Sequence, residues 1–386
     1  LERLGRRVVA AGRAGGLDAV GVATAERFEG TRAHLEERRR AGLHGGMAFT
    51  YRNPARSTDP HALLPSARAL VAGARAYGGG DLTPPPGDRP HGRVARYAWG
   101  DHYAELEAGL EAVAEVLRAD GWRAVVVADQ NHLVDRAVAH RAGLGWYGKS
   151  SLLLLPGAGS WFVLGAVVTD APLAPTAEEP VADGCGSCTR CLEGCPTGAI
   201  VAPGVVDARR CLAWLVQAPG PLPRPFRVPL GDRIYGCDEC QDVCPPNRVE
   251  LRRHRRGEAV VDDQAHAHDE RTDRPWVDLL ELLAASDDEL LARHGRWYIA
   301  GRDPRGIRRN ALVALGNVGE ATDPGVAAAL RVVLTGSDDL LAAHAAWAAR
   351  RLGRDDLLVD LAPDAIGPDL ATELAAPPPP PREGRP

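Results

Sequence analysis

All eight cysteines of this 386-residue chain fall between positions 185 and 244. A disulfide framework would spread them along the chain, so this clustering points instead to bound metal. The spacing is Cys185-x2-Cys188-x2-Cys191-x3-Cys195-Pro196, then Cys211 alone, then Cys237-x2-Cys240-x3-Cys244-Pro245. The first run has the spacing of bacterial ferredoxins, in which three thiolates hold one [4Fe–4S] cluster and the fourth crosses to a second. The second run repeats the motif with its first ligand displaced to Cys211. Crossing assigns Cys185, Cys188, Cys191 and Cys244 to one cluster, and Cys195, Cys211, Cys237 and Cys240 to the other. CxxC pairs also suit tetrahedral zinc, but zinc needs neither a third cysteine at CxxCxxC spacing nor a Cys-Pro closing both runs. Two adjacent clusters imply one-electron traffic, so substrate chemistry belongs elsewhere in the chain.

The chain is far longer than a ferredoxin needs and has room for two or three domains. Charged residues at 25%, the hydrophobic class at 45% and a formal net charge of −5 describe an ordinary globular protein, not one coated in positive charge. A nucleic-acid partner would have to be met by a local basic patch. Residues 1–10 lack the apolar core of a signal peptide, and no stretch reaches the length of a membrane span, so a cytoplasmic location is expected.

The fold class read from the pattern is α+β or α/β. Residues 1–180 form an α/β domain. Its strand-like apolar runs lie at 17–23, 69–73 and 123–128, and its amphipathic helices at 103–120 and 133–142. Residues 151–155 and 161–168 flank the turn Pro156-Gly157-Ala158-Gly159 and read as a hairpin. Residues 181–250 form the ferredoxin-type domain with its two clusters. Residues 251–375 carry short amphipathic segments at 276–283, 307–315, 326–334 and 340–352, of the kind that stack as HEAT-like helical repeats. The proline-rich tail, 376–386, is expected to be disordered.

Segment 143–150, GLGWYGKS, satisfies both GxGxxG and GxxxxGKS. Each motif binds phosphate only when a strand precedes the glycines and a helix follows them. Here a helical segment precedes and a strand follows, so the segment reads as a glycine-rich helix stop. Lys149 is the only lysine in the chain. A compact ammonium among arginines points to a specific contact, against the plain alternative of arginine-favouring codon usage.

Segment 129–149, DQNHLVDRAVAHRAGLGWYGK, together with DARRC at 207–211 and GCDECQDVCPPN at 236–247, resembles the epoxyqueuosine reductase family. The likeness continues through Ile307-Arg308-Arg309-Asn310-Ala311 and Ala314-Leu315-Gly316-Asn317, and so covers nearly the whole chain. It implies reduction of epoxyqueuosine to queuosine at the wobble position of tRNA. Cobalamin would be the reactive centre in the N-terminal domain, the clusters would reduce it, and the helical repeats would help hold the anticodon stem-loop. The electrons would come from a small reductant or a reducing protein.

By the same resemblance Asp129 is the catalytic aspartate and proton donor; from the residues alone it would simply end a strand. An acid working at neutral pH needs a raised pKa, which burial against an apolar corrin face would supply. Corrin contacts fall to Arg56, Tyr103, Lys149, Ser150 and Ser160. Gln130-Asn131-His132 and Ala104 depart from the family pattern, whereas Arg96-Tyr97-Ala98-Trp99-Gly100 keeps it. These departures bear on fine contacts rather than on the reaction class.

Arg302, Arg305, Arg308 and Arg309 form a phosphate-binding cluster in an otherwise acidic chain, with residues 252–256 as a competing patch and a solvated helix face as the plain alternative. Two other readings stand beside this one. A reductive dehalogenase-like corrinoid iron–sulfur enzyme has no use for RNA-binding repeats. A non-catalytic electron-transfer protein takes up no corrinoid.

Overall fold

Two glycines opposite each other set the packing of the N-terminal sheet. The computed structural model describes residues 2–78, 82–256, 275–359, 361 and 366–380. They group into two units, one drawn from Leu1–Gly80, Gly100–Cys211 and Asp238–Ala267, the other from Asp81–Trp99, Leu212–Cys237 and His268–Pro386. The chain thus passes between units repeatedly, where the sequence reading gives consecutive blocks. Among the described residues no helix is long and apolar enough to cross a membrane.

The first unit is built on a four-stranded sheet containing β1 (Ala19–Thr24), β2 (Ala69–Ala76), β4 (Ala124–Ala128) and β7 (Phe162–Thr169), in the order β1-β2-β7-β4. Every pairing is antiparallel, so the unit is α+β and not doubly wound. Gly73 pairs with Gly165. A Cβ on either would come within 2.8 Å of the Leu110 side chain. The missing side chains therefore let helix α2 (His102–Ala119) lie close on this face, beside α1 (Glu2–Ala14). Asp101 caps α2 by accepting the Ala104 N–H, and Leu106, Leu110, Val113 and Leu117 form its buried stripe. The opposite face of the sheet, with Leu70, Ala72, Ala74, Leu164 and Ala166, packs against α3 (Asp135–Arg141) through Ala137 and Val138.

The expected hairpin between 151–155 and 161–168 does not form. β6 (Leu153–Leu154) pairs backward with β5 (Trp146–Tyr147), while β7 enters the centre of the sheet. The turn at 156–159 is closed only by a bridge between Leu155 and Gly159. An eight-residue apolar strand buried on both faces is better served in mid-sheet than as half of a surface hairpin. A further two-stranded ladder, β8 (Ile200–Ala202) with β9 (Val205–Val206), lies between the two cysteine runs.

In the second unit, β3 (His91–Val94), β10 (Arg233–Tyr235) and β11 (Trp276–Asp278) form a sheet in the order β10-β3-β11. The helix expected over 276–283 begins only at α4 (Leu279–Ala284). Trp276–Asp278 pairs with β3, and the Asp278 carboxylate caps α4 by accepting the N–H groups of Leu280 and Glu281. The expected segments 307–315, 326–334 and 340–352 appear as α5 (Arg305–Val318), α6 (Pro324–Leu334) and α7 (Asp339–Arg351), followed by α8 (Pro368–Ala375). Val94, Leu222 and Ile234 join their core.

Inside this core Arg227 and Glu373 form a buried pair at 2.8 Å. The described part of the tail, 376–380, is held: Arg350 donates to the Ala376 carbonyl, Arg224 to Pro377 and Arg351 to Pro380. The expected disorder of 381–386 lies outside the described residues.

Candidate functional site

All eight cysteines are half-buried. The short helices Arg190–Glu193 and Glu239–Asp242 pack together. A Cβ at Gly194 would stand 3.0 Å from Val243, so the glycine admits the second cysteine run to the first. Burial pushes the Cys244 thiol up to about 11, and Cys185, Cys191 and Cys188, once ionised, push in the same direction. Cys191 is raised in the same way, by burial and then by Cys185 and Cys188. Cys244 thus shares the surroundings of Cys185, Cys188 and Cys191, the grouping the crossing rule gives. Binding metal must displace these protons.

Around Cys195, burial acts to raise the thiol. Hydrogen bonds from the Thr197 N–H and hydroxyl and from the Ala199 and Ile200 N–H groups outweigh it and bring the thiol below its ordinary range. The Ala199 N–H reaches the sulfur at 3.2 Å. Cys211 and Cys240 are half-buried, and Cys237 packs at the edge of the second unit's core. Thiols that share one neighbourhood, as Cys185, Cys188, Cys191 and Cys244 do, or accept amide N–H bonds, as Cys195 does, are donors suited to iron–sulfur clusters. Among the described residues no group of three His, Cys, Asp or Glu side chains is placed to hold a single metal ion.

The glycine segment 143–150 follows α3 and contains β5, in the helix-first order that argues against phosphate binding. Its glycines serve packing. A Cβ at Gly145 would fall 2.1 Å from the Leu154 carbonyl oxygen, and one at Gly148 would fall 2.3 Å from the Leu154 side chain. Lys149 turns to the cysteine insert, donating from Nζ to the carbonyls of Gly186 at 2.7 Å and Cys188 at 2.9 Å.

Ser160 is buried in a polar network that also joins the insert to the sheet. Asn247 Oδ1 accepts the Ser160 N–H at 2.7 Å, and Asn247 Nδ2 donates to Ser160 Oγ and to the Gln241 carbonyl, each at 2.9 Å. Gln241 Nε2 donates to the Ser160 carbonyl at 3.1 Å, Ser160 Oγ at 3.2 Å and Tyr77 Oη at 3.3 Å. The sequence reading quoted Gln241 and Asn247 within the second cysteine motif without giving them a role; their adjacency to the ligands was the available signal.

Asp129 stands just past β4 in the left-handed region, at φ 47°. Solvent reaches it, yet enough protein surrounds it that burial, followed by the like charge of Glu107, raises its carboxyl above the ordinary range. Asp135, at the start of α3, is raised well above that range by burial and then by Asp129, with Arg136 opposing. Its Oδ1 is buried without a hydrogen-bond partner. Tyr147 is 40% exposed, and its hydroxyl too is raised by burial, with Arg136 and Arg38 opposing.

Asp129 acts on Asp135, and Arg136 acts on both Asp135 and Tyr147, so these side chains form one connected group of polar neighbours. The sequence reading gave neither Asp135 nor Tyr147 a role. The Asn131 Oδ1 accepts the Thr50 N–H at 2.8 Å, tying the Asp129 loop to the loop that bears the exposed ring of Phe49. His132 lies beside Gln130, with Nδ1 at 3.1 Å from its Oε1. Arg56 is exposed on the helix Pro54–Ser57, while Tyr103 and Ser150 are half-buried.

The four arginines expected at phosphate do not share one environment. Arg302 donates to the Gly295 carbonyl, and Arg305 is exposed and paired with Asp303 at 2.7 Å. Arg308 is largely covered, bonded to Asp287 and the Ala285 carbonyl. Arg309 is 1% exposed and donates to the carbonyls of Leu215, Val216, Ala218 and Gly220, so it is an internal brace and not a phosphate contact. In the competing patch at 252–256, Arg253 donates to the Gly157 carbonyl at 3.0 Å.

A family model described as a 4Fe-4S double cluster binding domain matches residues 184–247. An epoxyqueuosine reductase of Bacillus cereus is 32% identical over 92% of this chain and 90% of its own length. That of Xanthomonas campestris is 35% identical over 83% and 88%. A crystal structure of selenomethionine-labelled epoxyqueuosine reductase superposes with a TM-score of 0.85 at 30% identity, covering 97% of each chain. Another, holding a tRNA-Tyr epoxyqueuosine-modified stem loop, gives 0.83 at 30% identity over 97% of this chain and 98% of that one. Identity at this level, sustained over nearly the full length of both partners and matched by the fold, means that the chain belongs to the epoxyqueuosine reductase family.

Proposed function

We propose that this chain reduces epoxyqueuosine at the wobble position of tRNA to queuosine, with electrons passing through two [4Fe–4S] clusters to cobalamin and Asp129 as proton donor. The observation that carries the reading is the likeness to epoxyqueuosine reductases, sustained over nearly the full length of both chains, with a solvent-reachable Asp129 on the same unit as the thiols of Cys185, Cys188, Cys191 and Cys244. By the crossing rule Cys195, Cys211, Cys237 and Cys240 hold the second cluster. The exposed rings of Phe49 and Tyr147 and the solvent-reachable acid suit a large flat ligand with one apolar face.

Loss of the epoxide oxygen consumes electrons and protons together. When bound, the clusters supply one-electron steps and the corrinoid supplies a strongly reducing, nucleophilic cobalt. The chain's own residues manage the proton. Burial and Glu107 keep Asp129 protonated to higher pH than an ordinary carboxylate, so it can donate to the oxygen released from the ring. Asp135 is a second carboxyl, pushed toward its neutral form by burial and then by Asp129. Lys149 and Ser160 are committed to the cysteine insert, which leaves corrin contacts to Arg56, Tyr103 and Ser150.

In this reading the N-terminal domain binds the corrinoid and the ferredoxin-type domain delivers electrons from a small reductant or a reducing protein. The helices from α4 to α8 act as HEAT-like repeats that help hold the anticodon stem-loop in the cytoplasm. Arg302, Arg305 and Arg308 would meet RNA phosphates. The modified base must leave its stack to reach Asp129.

The test is anaerobic reconstitution with iron, sulfide and cobalamin, then turnover of an anticodon stem-loop carrying epoxyqueuosine, with nucleosides identified by mass spectrometry. Queuosine should form, and Asp129→Ala should abolish it while iron and corrinoid remain bound. Corrinoid binding with untouched RNA would overturn the substrate assignment. No corrinoid binding would overturn the enzyme reading.

A further inference from the structure

The chain's one lysine closes on the backbone of the first cysteine run. Lys149 Nζ donates to the carbonyl oxygens of Gly186 and Cys188, at 2.7 and 2.9 Å. Its position is fixed from the other side: the Lys149 carbonyl accepts the Gly204 N–H at 2.9 Å, and the Ser151 hydroxyl donates to the Gly204 carbonyl at 2.7 Å. The turn it meets is closed by the Cys188 N–H on the Cys185 carbonyl at 2.9 Å, with Gly186 left-handed at φ 49°. The nearby Asp183 carboxylate accepts the Cys185 N–H at 2.9 Å. Lys149 therefore brings its positive charge to the turn on two neutral carbonyls, and two of an ammonium's three N–H donors are used.

A cluster held by four thiolates is anionic, and reduction adds one more negative charge. A fixed cation within one turn of two of its ligands stabilises the reduced form more than the oxidised form. Holding the two carbonyls also keeps the 185–188 turn in shape before metal arrives.

We propose that Lys149 is a positioning residue that braces the 185–188 turn and raises the reduction potential of the cluster bound by Cys185, Cys188, Cys191 and Cys244. The inference rests on the cluster assignment proposed above. It gives the lone lysine a role in electron delivery rather than in phosphate or corrin binding. Charge is the essential property, so arginine substitutes for lysine, whereas glutamine, which keeps donors without charge, does not.

The experiment is a dithionite titration, followed by electron paramagnetic resonance, of reconstituted full-length wild type, Lys149→Arg, Lys149→Gln and Lys149→Met, each with its iron content measured. Wild type should show two clusters; a single cluster would overturn the assignment before any variant is compared. In Lys149→Gln and Lys149→Met one cluster should move to lower potential and the other should stay. At a fixed ambient potential the reduced-to-oxidised ratio of the shifted cluster should fall by about tenfold, which is 59 mV for a one-electron couple. Lys149→Arg should stay near wild type. Unchanged potentials in the glutamine and methionine variants with full iron would overturn the proposal. So would an arginine variant shifted as far as methionine. Should Lys149→Met lose iron, the arginine and glutamine pair decides the same question.

Discussion

The Asn247 side chain accepts the Ser160 backbone N–H at 2.7 Å and returns a hydrogen bond from Nδ2 to the Ser160 hydroxyl at 2.9 Å. Asn247 follows the last cysteine and its two prolines, whereas Ser160 precedes the central strand β7. This pair therefore fixes the cysteine insert to the sheet. Asn247 is fully buried, and the Ser160 N–H it accepts would otherwise be stranded away from water.

Asn247→Leu should lower stability by about 1–3 kcal/mol, because it leaves the Ser160 N–H without its partner, while the Gln241 carbonyl keeps its bond from the Cys244 N–H. Ser160→Ala should cost only about 1 kcal/mol, since the backbone bond to Asn247 survives. Thermal unfolding of the reconstituted protein measures both, and equal losses would show that the backbone bond contributes little.

Gly159→Ala should be far more damaging than Gly157→Ala. Both glycines are left-handed, at φ 81° and 78°. A Cβ at Gly159 would sit 2.0 Å from Asn247 Oδ1, whereas one at Gly157 meets nothing within 4 Å. Gly157→Ala should therefore show only the conformational penalty, about 1–2 kcal/mol. Gly159→Ala should also separate Asn247 from Ser160 and lower iron retention, as read by iron analysis and melting of the two variants side by side.

The rate of epoxide reduction should fall as pH rises through the elevated pKa of Asp129, because only the protonated acid donates. Glu107→Gln removes a like charge and should move this fall to lower pH. The same shift has a stability sign. A carboxyl raised on folding contributes most below its unfolded value, and that contribution is lost as pH rises through the folded value. Asp129→Asn should thus raise the melting temperature at neutral pH relative to wild type while abolishing turnover. An unchanged pH profile in Glu107→Gln would count against Asp129 as the titrating donor.

Arg305→Ala and Arg309→Met should separate RNA binding from folding. Arg305 is exposed, so its loss should change stability by less than about 0.5 kcal/mol while lowering the salt dependence of stem-loop binding by about one charge. Arg309→Met takes the side-chain donor from the carbonyls of Leu215, Ala218 and Gly220, while Val216 keeps its bond from Asn310, and should cost about 2–4 kcal/mol. Binding titrations at several salt concentrations, with melting curves of each variant, test the distinction. A weakened salt slope in a stably folded Arg309→Met would contradict its role as a brace.

The sequence by itself determined what depends on local order. Cysteine spacing fixed the pairing logic of the two runs, and apolar periodicity fixed α2, α3, α5, α6 and α7, because a helix buries a stripe that repeats along its own sequence. The order of helix, glycines and strand around Lys149 was enough to argue against a phosphate loop. Tertiary structure alone decided matters set by distant partners. β7 left its expected hairpin because a strand apolar on both faces finds more cover between β2 and β4. Trp276–Asp278 became a strand because β3, far earlier in the chain, offered an edge. Arg309 is identical in sequence character to Arg308, yet the carbonyls of residues 215–220 draw it inside. The direction of Lys149 and the approach of Asp135 to Asp129 likewise depend on how separated segments pack, which no periodicity encodes.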